Sequence, residues 1–342
     1  GKVNLTGNAS RGSMRSDFDS VTSQSGIHAG NDGYEITVKE NPRLKGGLID
    51  SVANADKNRL TTGTLAWEDM KNSADYKAGG LGISYASKDE GTRLNERGLT
   101  PSISSAIRGS ADSTTKSAVS EGMITIIDRE HQKQDILKLN RDTKNSLNQL
   151  QEIFDKTKIE EKQELLGMLE KYGNQAIHNY AESKGWKDGS TEKMLLHGAF
   201  GALMGDMAGG SAATGALSGG VNEYVMGYLT KTKGKEWVQK HPDTVQWLSA
   251  GVGATIGASA NDLATGAGIS LNSSKWNYLG FELPETEHLL EETLIRKDGQ
   301  ELADDESGKV FELIYQTANQ GDPYGAASDL ELKVGSTIAI AG

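Results

Sequence analysis

The chain has 342 residues and a formal net charge of −11, long enough for two or three domains rather than a single core. It contains no cysteine, which excludes disulfide frameworks, thiolate zinc sites and haem-attachment motifs. Forty-two glycines against five prolines suit tight turns better than proline-rich linkers.

The lack of cysteine is usual in a reducing compartment and equally suits a chain exported unfolded, because an early cross-link would close a loop that cannot thread a pore. The first residues, GKVNLTGNASRG, hold no apolar signal-peptide core and read as the middle of a longer pattern. Charge is unevenly placed: residues 281–342 hold 14 Asp and Glu against 4 Lys and Arg, so nearly all the net charge lies there. That break sets a module boundary at about residue 280.

Through residue 128, short alternating runs are divided by Gly, Asn, Asp and Ser. Tyr34, Ile36 and Val38 alternate as one buried face of a strand does, and Asn31-Asp32-Gly33 supplies the preceding turn. Two stretches about 30 residues apart repeat strand, polar turn and a small-residue corner, GGLID and GGLGI. Repetition at that period suggests a solenoid, here a right-handed parallel β-helix over residues 1–128, with an ordinary β-sandwich as the alternative.

Residues 129–190 are rich in Lys, Glu, Gln and Leu. Leu147, Leu150, Ile153 and Phe154, then Leu165, Leu166, Leu169 and Tyr172, fall at helical spacing and predict an α-helical neck that stops at Lys184-Gly185.

Residues 191–280 contain two small-residue runs, GAFGALMGDMAGGSAATGALSGG (198–220) and WLSAGVGATIGASANDLATGAGI (247–269). Neither has the G-x-x-x-x-G-K-[S/T] pattern of a phosphate loop. Both reach membrane-spanning length but are Ala, Gly, Ser and Thr rather than Leu and Ile, so transient membrane contact is the most they suggest. Large residues at helical offsets, from Phe200 to Val225, argue against a flexible linker. Gly201, Gly205 and Gly209 are four apart, as are Gly253 and Gly257, a spacing that lets helix backbones approach closely. Helices so rich in glycine are weak alone and depend on packing.

The acidic segment 281–342 is expected to be a small α+β or poorly ordered tail, with a short helix from Glu285 to Arg296. His288 has Glu285 and Glu292 within a helical turn, so a general-base or metal site can be drawn, although acids around one surface histidine are common. A nuclease needs positive surface to hold phosphates, and a net of −10 opposes it. The remaining histidines show no H-E-x-x-H spacing, and no pattern calls for a cofactor, a metal or a nucleic-acid partner.

One longer pattern carries a family resemblance. The order VNLTGNASRGSMRSDFDSVTSQSGIHAGNDGYEITVKENPRLKGGLIDSVANADKNRLTTGTLAWEDMKNSADYK resembles the distal haemagglutinin-repeat region of filamentous-haemagglutinin-like two-partner-secretion exoproteins, which include contact-dependent growth inhibition effectors. The likeness covers about residues 2–85, and SEGMITIIDRE at 120–130 resembles the segment that closes that region. It implies a β-helical stalk exported by an outer-membrane partner transporter to the bacterial cell surface. The Gly/Ala-rich runs resemble the family's pre-toxin domain, which in many relatives ends in Val-Glu-Asn-Asn. Here SLNSSKWNYLG stands instead, with Asn272, Trp276, Asn277 and Tyr278 marking the junction, and this departure leaves the exact boundary open. The resemblance further implies a toxin-delivery role in competition between bacteria, an immunity protein for 281–342 and a target-cell receptor. A haemagglutinin-like adhesin without toxin activity is the alternative.

Overall fold

The computed structural model of the chain describes residues 5–89 and 91–280. Eleven strands are present among them: β1 (Thr6–Asp19), β2 (Gly26–Ala29), β3 (Tyr34–Val38), β4 (Arg43–Lys45), β5 (Leu48–Ser51), β6 (Asn58–Thr62), β7 (Ala66–Glu68), β8 (Met70–Ala86), β9 (Gly98–Thr115), β10 (Ala118–Val119) and β11 (Met123–Ile126). Six helices follow: α1 (Lys156–Ser183), α2 (Thr191–Met207), α3 (Ala212–Lys233), α4 (Lys235–Lys240), α5 (Pro242–Ser259) and α6 (Leu263–Ser273). The chain divides into two compact units, one of Arg15–Tyr76 with Gly109–Phe154, the other of Gly1–Met14, Lys77–Arg108 and Asp155–Gly342.

In the first unit, short strands pair in parallel as β10–β5–β2, β11–β6–β3 and β4–β7. Tyr34 lies opposite Asn58 and Ile36 opposite Leu60, so alternate residues share one face. That face builds a core of Tyr34, Ile49, Leu60, Leu65, Val119 and Leu139. Gln132 and Gln134 stand in for a further strand. The Gln132 side chain accepts from Leu65 N (2.8 Å) and donates to its carbonyl (2.9 Å), and Gln134 does the same for Trp67 (2.9 and 3.1 Å). An otherwise open strand edge is thereby covered.

The right-handed parallel β-helix expected over residues 1–128 is not the fold. The longest strands of that region, β1, β8 and β9 with 14, 17 and 18 residues, form their own sheet in the order β1–β8–β9. Its pairing is antiparallel in the second unit: Thr100 reaches Ser84, Ser104 reaches Gly80, and Gly79 faces Ala106. The motif GGLGI, expected from sequence to be a small-residue corner, is uninterrupted strand. Its glycines serve close strand contact: a Cβ at Gly80 would come 2.8 Å from Ser104 Oγ, and one at Gly82 would come 2.8 Å from Ala9 O.

The helical start expected near Leu147 is also displaced. Residues 147–154 are not helical, and α1 begins at Lys156, where the Asp155 side chain caps Lys158 N at 3.1 Å. Asn148 sits at φ 45°, its carbonyl accepts from Asn72 Nδ2 (3.2 Å), and Ser20 Oγ accepts from Leu150 N (2.9 Å). Phe154 meets Tyr76 edge-on at 6.5 Å. Backbone groups satisfied by distant side chains removed the incentive to form a helix, so helical spacing alone misplaced the start.

In the second unit, α2 and α3 form an antiparallel hairpin, as do α5 and α6, and glycine sets both contacts. A Cβ at Gly201 would collide with Gly215 O, one at Gly215 with Gly201 O, and one at Gly219 with His197 O. Gly253 and Gly266 stand in the same relation across the second hairpin. Gly209 lies past the end of α2, where φ of 71° makes the turn into α3 and Ser211 caps Thr214 N at 3.1 Å. Arg108 on β9 ties the two turns together: its N–H donates to Ala208 O (2.9 Å) and its guanidinium pairs with buried Asp262, whose other oxygen accepts from Ser211 N (3.0 Å).

A methyl group therefore separates two glycines of one helix. Gly253→Ala is expected to destabilise the chain by about 2–4 kcal/mol through overpacking against backbone. Gly251→Ala, two residues away with nothing near its Cβ position, should stabilise α5 by about 0.5–1 kcal/mol. Urea unfolding of both variants measures the contrast, and equal effects would refute the backbone-contact account.

Candidate functional site

The α2–α3 hairpin creates the most unusual chemistry among the described residues. Antiparallel pairing places His197 opposite Gly219 and Gly189 opposite Gly227, so Glu223, midway between those glycines on α3, is pressed against α2. Lys193 and His197 lie four residues apart on the facing side of α2. All three are sealed, with exposures of 1 % for Lys193, 1 % for His197 and 0 % for Glu223.

Buried charge requires partners, and the cluster supplies them. Lys193 Nζ lies 2.8 Å from Asp188 Oδ1, 3.7 Å from Glu223 Oε1 and 4.7 Å from the Tyr278 ring centre. Glu223 also accepts from Gly189 N (2.8 Å) and from Asn277 Nδ2 (3.3 Å), with His197 Nε2 at 3.4 Å. Burial pushes the Glu223 carboxyl above its usual range, against the pull of Lys193 and the Gly189 amide. Burial, then the charge of Lys193, lowers His197 to about 3, and the same two causes lower His178. Tyr278 is raised well above its usual range, by burial and then by the Glu223 and Asp188 charges.

His197 Nδ1 lies 3.3 Å from Ser273 Oγ, but its Nε2, 3.4 Å from Glu223 Oε2, makes no hydrogen bond, so the three residues do not form a hydroxyl–imidazole–carboxylate relay. The void beside Ser273 and His197 measures about 10 Å³, at the lower limit for one water, so an outside substrate has no room there. The inner cluster is thus built to hold a structure together. On its outer side lies an open cleft of about 790 Å³, with His178, Trp186, Asp188, Lys193 and Tyr278 in its wall.

The junction residues all belong to this unit. Ser274–Tyr278 is a π-helical turn, a wide turn found often at functional positions. Asn272 Nδ2 donates to Glu170 Oε2 (2.6 Å), and Asn277 and Tyr278 enter the buried cluster. Trp276 lies under the Lys171 and Lys275 ammonium groups, each 5.2 Å from its ring. Gly201 and Gly205 sit at the α2–α3 contact, Gly253 and Gly257 at the α5–α6 contact, and Gly209 in the intervening turn rather than on a helix face. Glu285, His288 and Glu292 lie outside the described residues.

Sequence spacing gives no role to His178, His197, Lys193 or Glu223. The available signal was the i, i+4 pair Lys193–His197 on a helix otherwise poor in charge, together with a lone acid in the small-residue run of α3. Among the described residues, no His, Cys, Asp or Glu group could hold a metal, and no helix is long and apolar enough to cross a membrane.

The cluster makes stability depend on pH in a definite direction. His197 titrates at about 3 when folded and near 6.5 when free, so between those values the unfolded chain binds a proton that the folded chain does not. Acidification within that window therefore destabilises the fold. From pH 7 to pH 5 the His197 contribution should fall by about 2 kcal/mol, and His197→Gln should lack that loss. Glu223, raised above its usual range, acts in the opposite sense in both proteins and largely cancels from the difference. Urea midpoints at the two pH values test this, and parallel losses in both proteins would remove His197 as the cause.

No family model matches the chain, and no solved structure does. Curated relatives do. It is 39 % identical over 180 residues, half of this chain, to the 16S rRNA endonuclease CdiA of Enterobacter cloacae subsp. cloacae. It is 32 % identical over 266 residues, 65 % of this chain, to the tRNA nuclease CdiA of Burkholderia pseudomallei. It is 39 % identical over 175 residues, 49 % of this chain, to the deoxyribonuclease CdiA of Dickeya dadantii. The match spans 5 %, 21 % and 5 % of the lengths of these three relatives. Half to two thirds of this chain is therefore homologous to CdiA contact-dependent growth inhibition proteins, consistent with a CdiA-like region.

Proposed function

We propose that this chain is part of a secreted, cell-surface exoprotein that delivers a toxin between bacteria in contact, with residues 191–280 as the pre-toxin unit ahead of a variable segment, 281–342. One observation carries this reading: relatives named for 16S rRNA, tRNA and DNA substrates resemble the chain to a similar degree. Resemblance to proteins with three different named targets does not itself choose a target, so delivery is the role we assign.

The helical unit supports this physically. Its glycine-rich helices have poor intrinsic propensity and hold together through close backbone contact. Such a unit unfolds as its contacts are lost, which suits passage through an outer-membrane partner transporter. Residues 281–342 carry a net charge of −10, which opposes phosphate binding, and we assign them no nuclease activity. An immunity protein would recognise that segment, and a target-cell receptor would recognise another part of the full exoprotein.

The test is a chimera in which residues 1–280 replace the matching segment of a CdiA nuclease that retains its own effector. Inhibition of neighbouring cells, relieved by that effector's immunity protein, is the expected outcome in a co-culture competition assay. Export to the surface with binding but no inhibition would support the adhesin alternative and overturn the delivery reading.

A further inference from the structure

The cleft beside the buried cluster has a charge pattern that the cluster does not use. Lys187, Lys231 and Lys235 line it, and among the described residues none of the three pairs with a carboxylate. Of the two acids in the wall, Asp188 is engaged with Lys193 at 2.8 Å, whereas exposed Glu182 lies 3.5 Å from His178, which burial holds toward its neutral form. The cleft therefore carries three unpaired lysines against the single carboxylate of Glu182, beside apolar Ala181, Trp186 and Val238. This combination fits an acidic segment with apolar residues interspersed.

Such a segment follows directly in the chain. Tyr278 lines the cleft, and the sequence from residue 281 reads FELPETEHLLEE, with five glutamates, no Lys or Arg, and Phe281, Leu283, Leu289 and Leu290 between them. A stretch of 12 residues can extend up to about 40 Å, so tethering at Gly280 leaves the segment well within reach. A short tether also gives an effective concentration on the order of millimolar, enough for weak charge pairs to act together.

We propose that the lysine-rimmed cleft is the docking groove for residues 281–292 of the same chain. The helical unit would then hold the start of the segment that follows it through Lys187, Lys231 and Lys235, while Lys193 stays committed to Asp188 and Glu223. This inference stands apart from the delivery reading, because its readout is internal to the purified chain.

The experiment uses the full chain at two salt concentrations. Zero-length carbodiimide coupling followed by peptide mass spectrometry should join Glu282–Glu292 to Lys187, Lys231 and Lys235 within one molecule, in preference to exposed Lys156 and Lys240. A glutamate-specific protease should cut after Glu282, Glu285 and Glu287 about three- to tenfold faster in the triple variant K187E/K231E/K235E, and molar salt should have a similar effect on the parent. The three lysines are exposed, so circular dichroism should show the variant folded. Equal cleavage of parent and variant, or coupling spread evenly over all exposed lysines, overturns the proposal. Coupling that vanishes on dilution would assign the groove to a second copy, and unchanged cleavage with heparin held by the three lysines would assign it to an outside polyanion. Either result overturns docking within one chain.

Discussion

The second unit depends on backbone-to-backbone contact between α2 and α3. Where Gly201 meets Gly215 and Gly219 meets His197, no Cβ lies between the helices, and their axes approach more closely than ordinary side chains allow. Everything at the buried cluster follows from that approach. Glu223 reaches Gly189 N, Lys193 and His197 because the glycines on either side of it bring its stretch of α3 down onto α2. A leucine at Gly219 would force the hairpin apart and leave Lys193 and Glu223 buried without each other.

The cost of this arrangement is visible in its ionisation. Burial outweighs Lys193 at Glu223 and drives the carboxyl upward, while the same burial holds His197 neutral. Buried ion pairs add little net stability relative to apolar packing, yet removal of one partner is costly. Such a cluster favours one registry of the hairpin over its neighbours, since a shift by one turn would strand a charge. Asn277 and Tyr278 join the same cluster, so the end of the helical unit is fixed by the contacts that fix its middle.

Strands and helices of the second unit use small residues differently. In the strands, Gly80 and Gly82 admit a neighbouring strand, while in the helices Gly253 and Gly266 admit a neighbouring helix. Both uses trade local propensity for tertiary contact. A chain built this way depends on tertiary contact for its local structure. CdiA proteins with different named targets resemble this chain at 32–39 % identity.

Sequence by itself determined the local features that rest on nearest-neighbour chemistry. Tyr34, Ile36 and Val38 alternate because a strand has period two, and Lys184-Gly185 ends α1 because glycine accepts a φ of 68°. The four-residue glycine spacing was equally legible, although which carbonyls those glycines admit was not. Tertiary structure alone decided that AGGLGI continues a strand, because its glycines answer to Ala9 and Ser104 rather than to their own neighbours. It alone kept residues 147–154 out of a helix, by satisfying their backbone from Asn72 and Ser20. And it alone assembled Lys193, His197, Glu223 and Asn277, whose separations of up to 84 positions carry no periodic signal. Periodicity reports the face a residue takes on its own element, whereas a buried charge cluster is defined by the register between elements, and that register is set by contact between distant backbones.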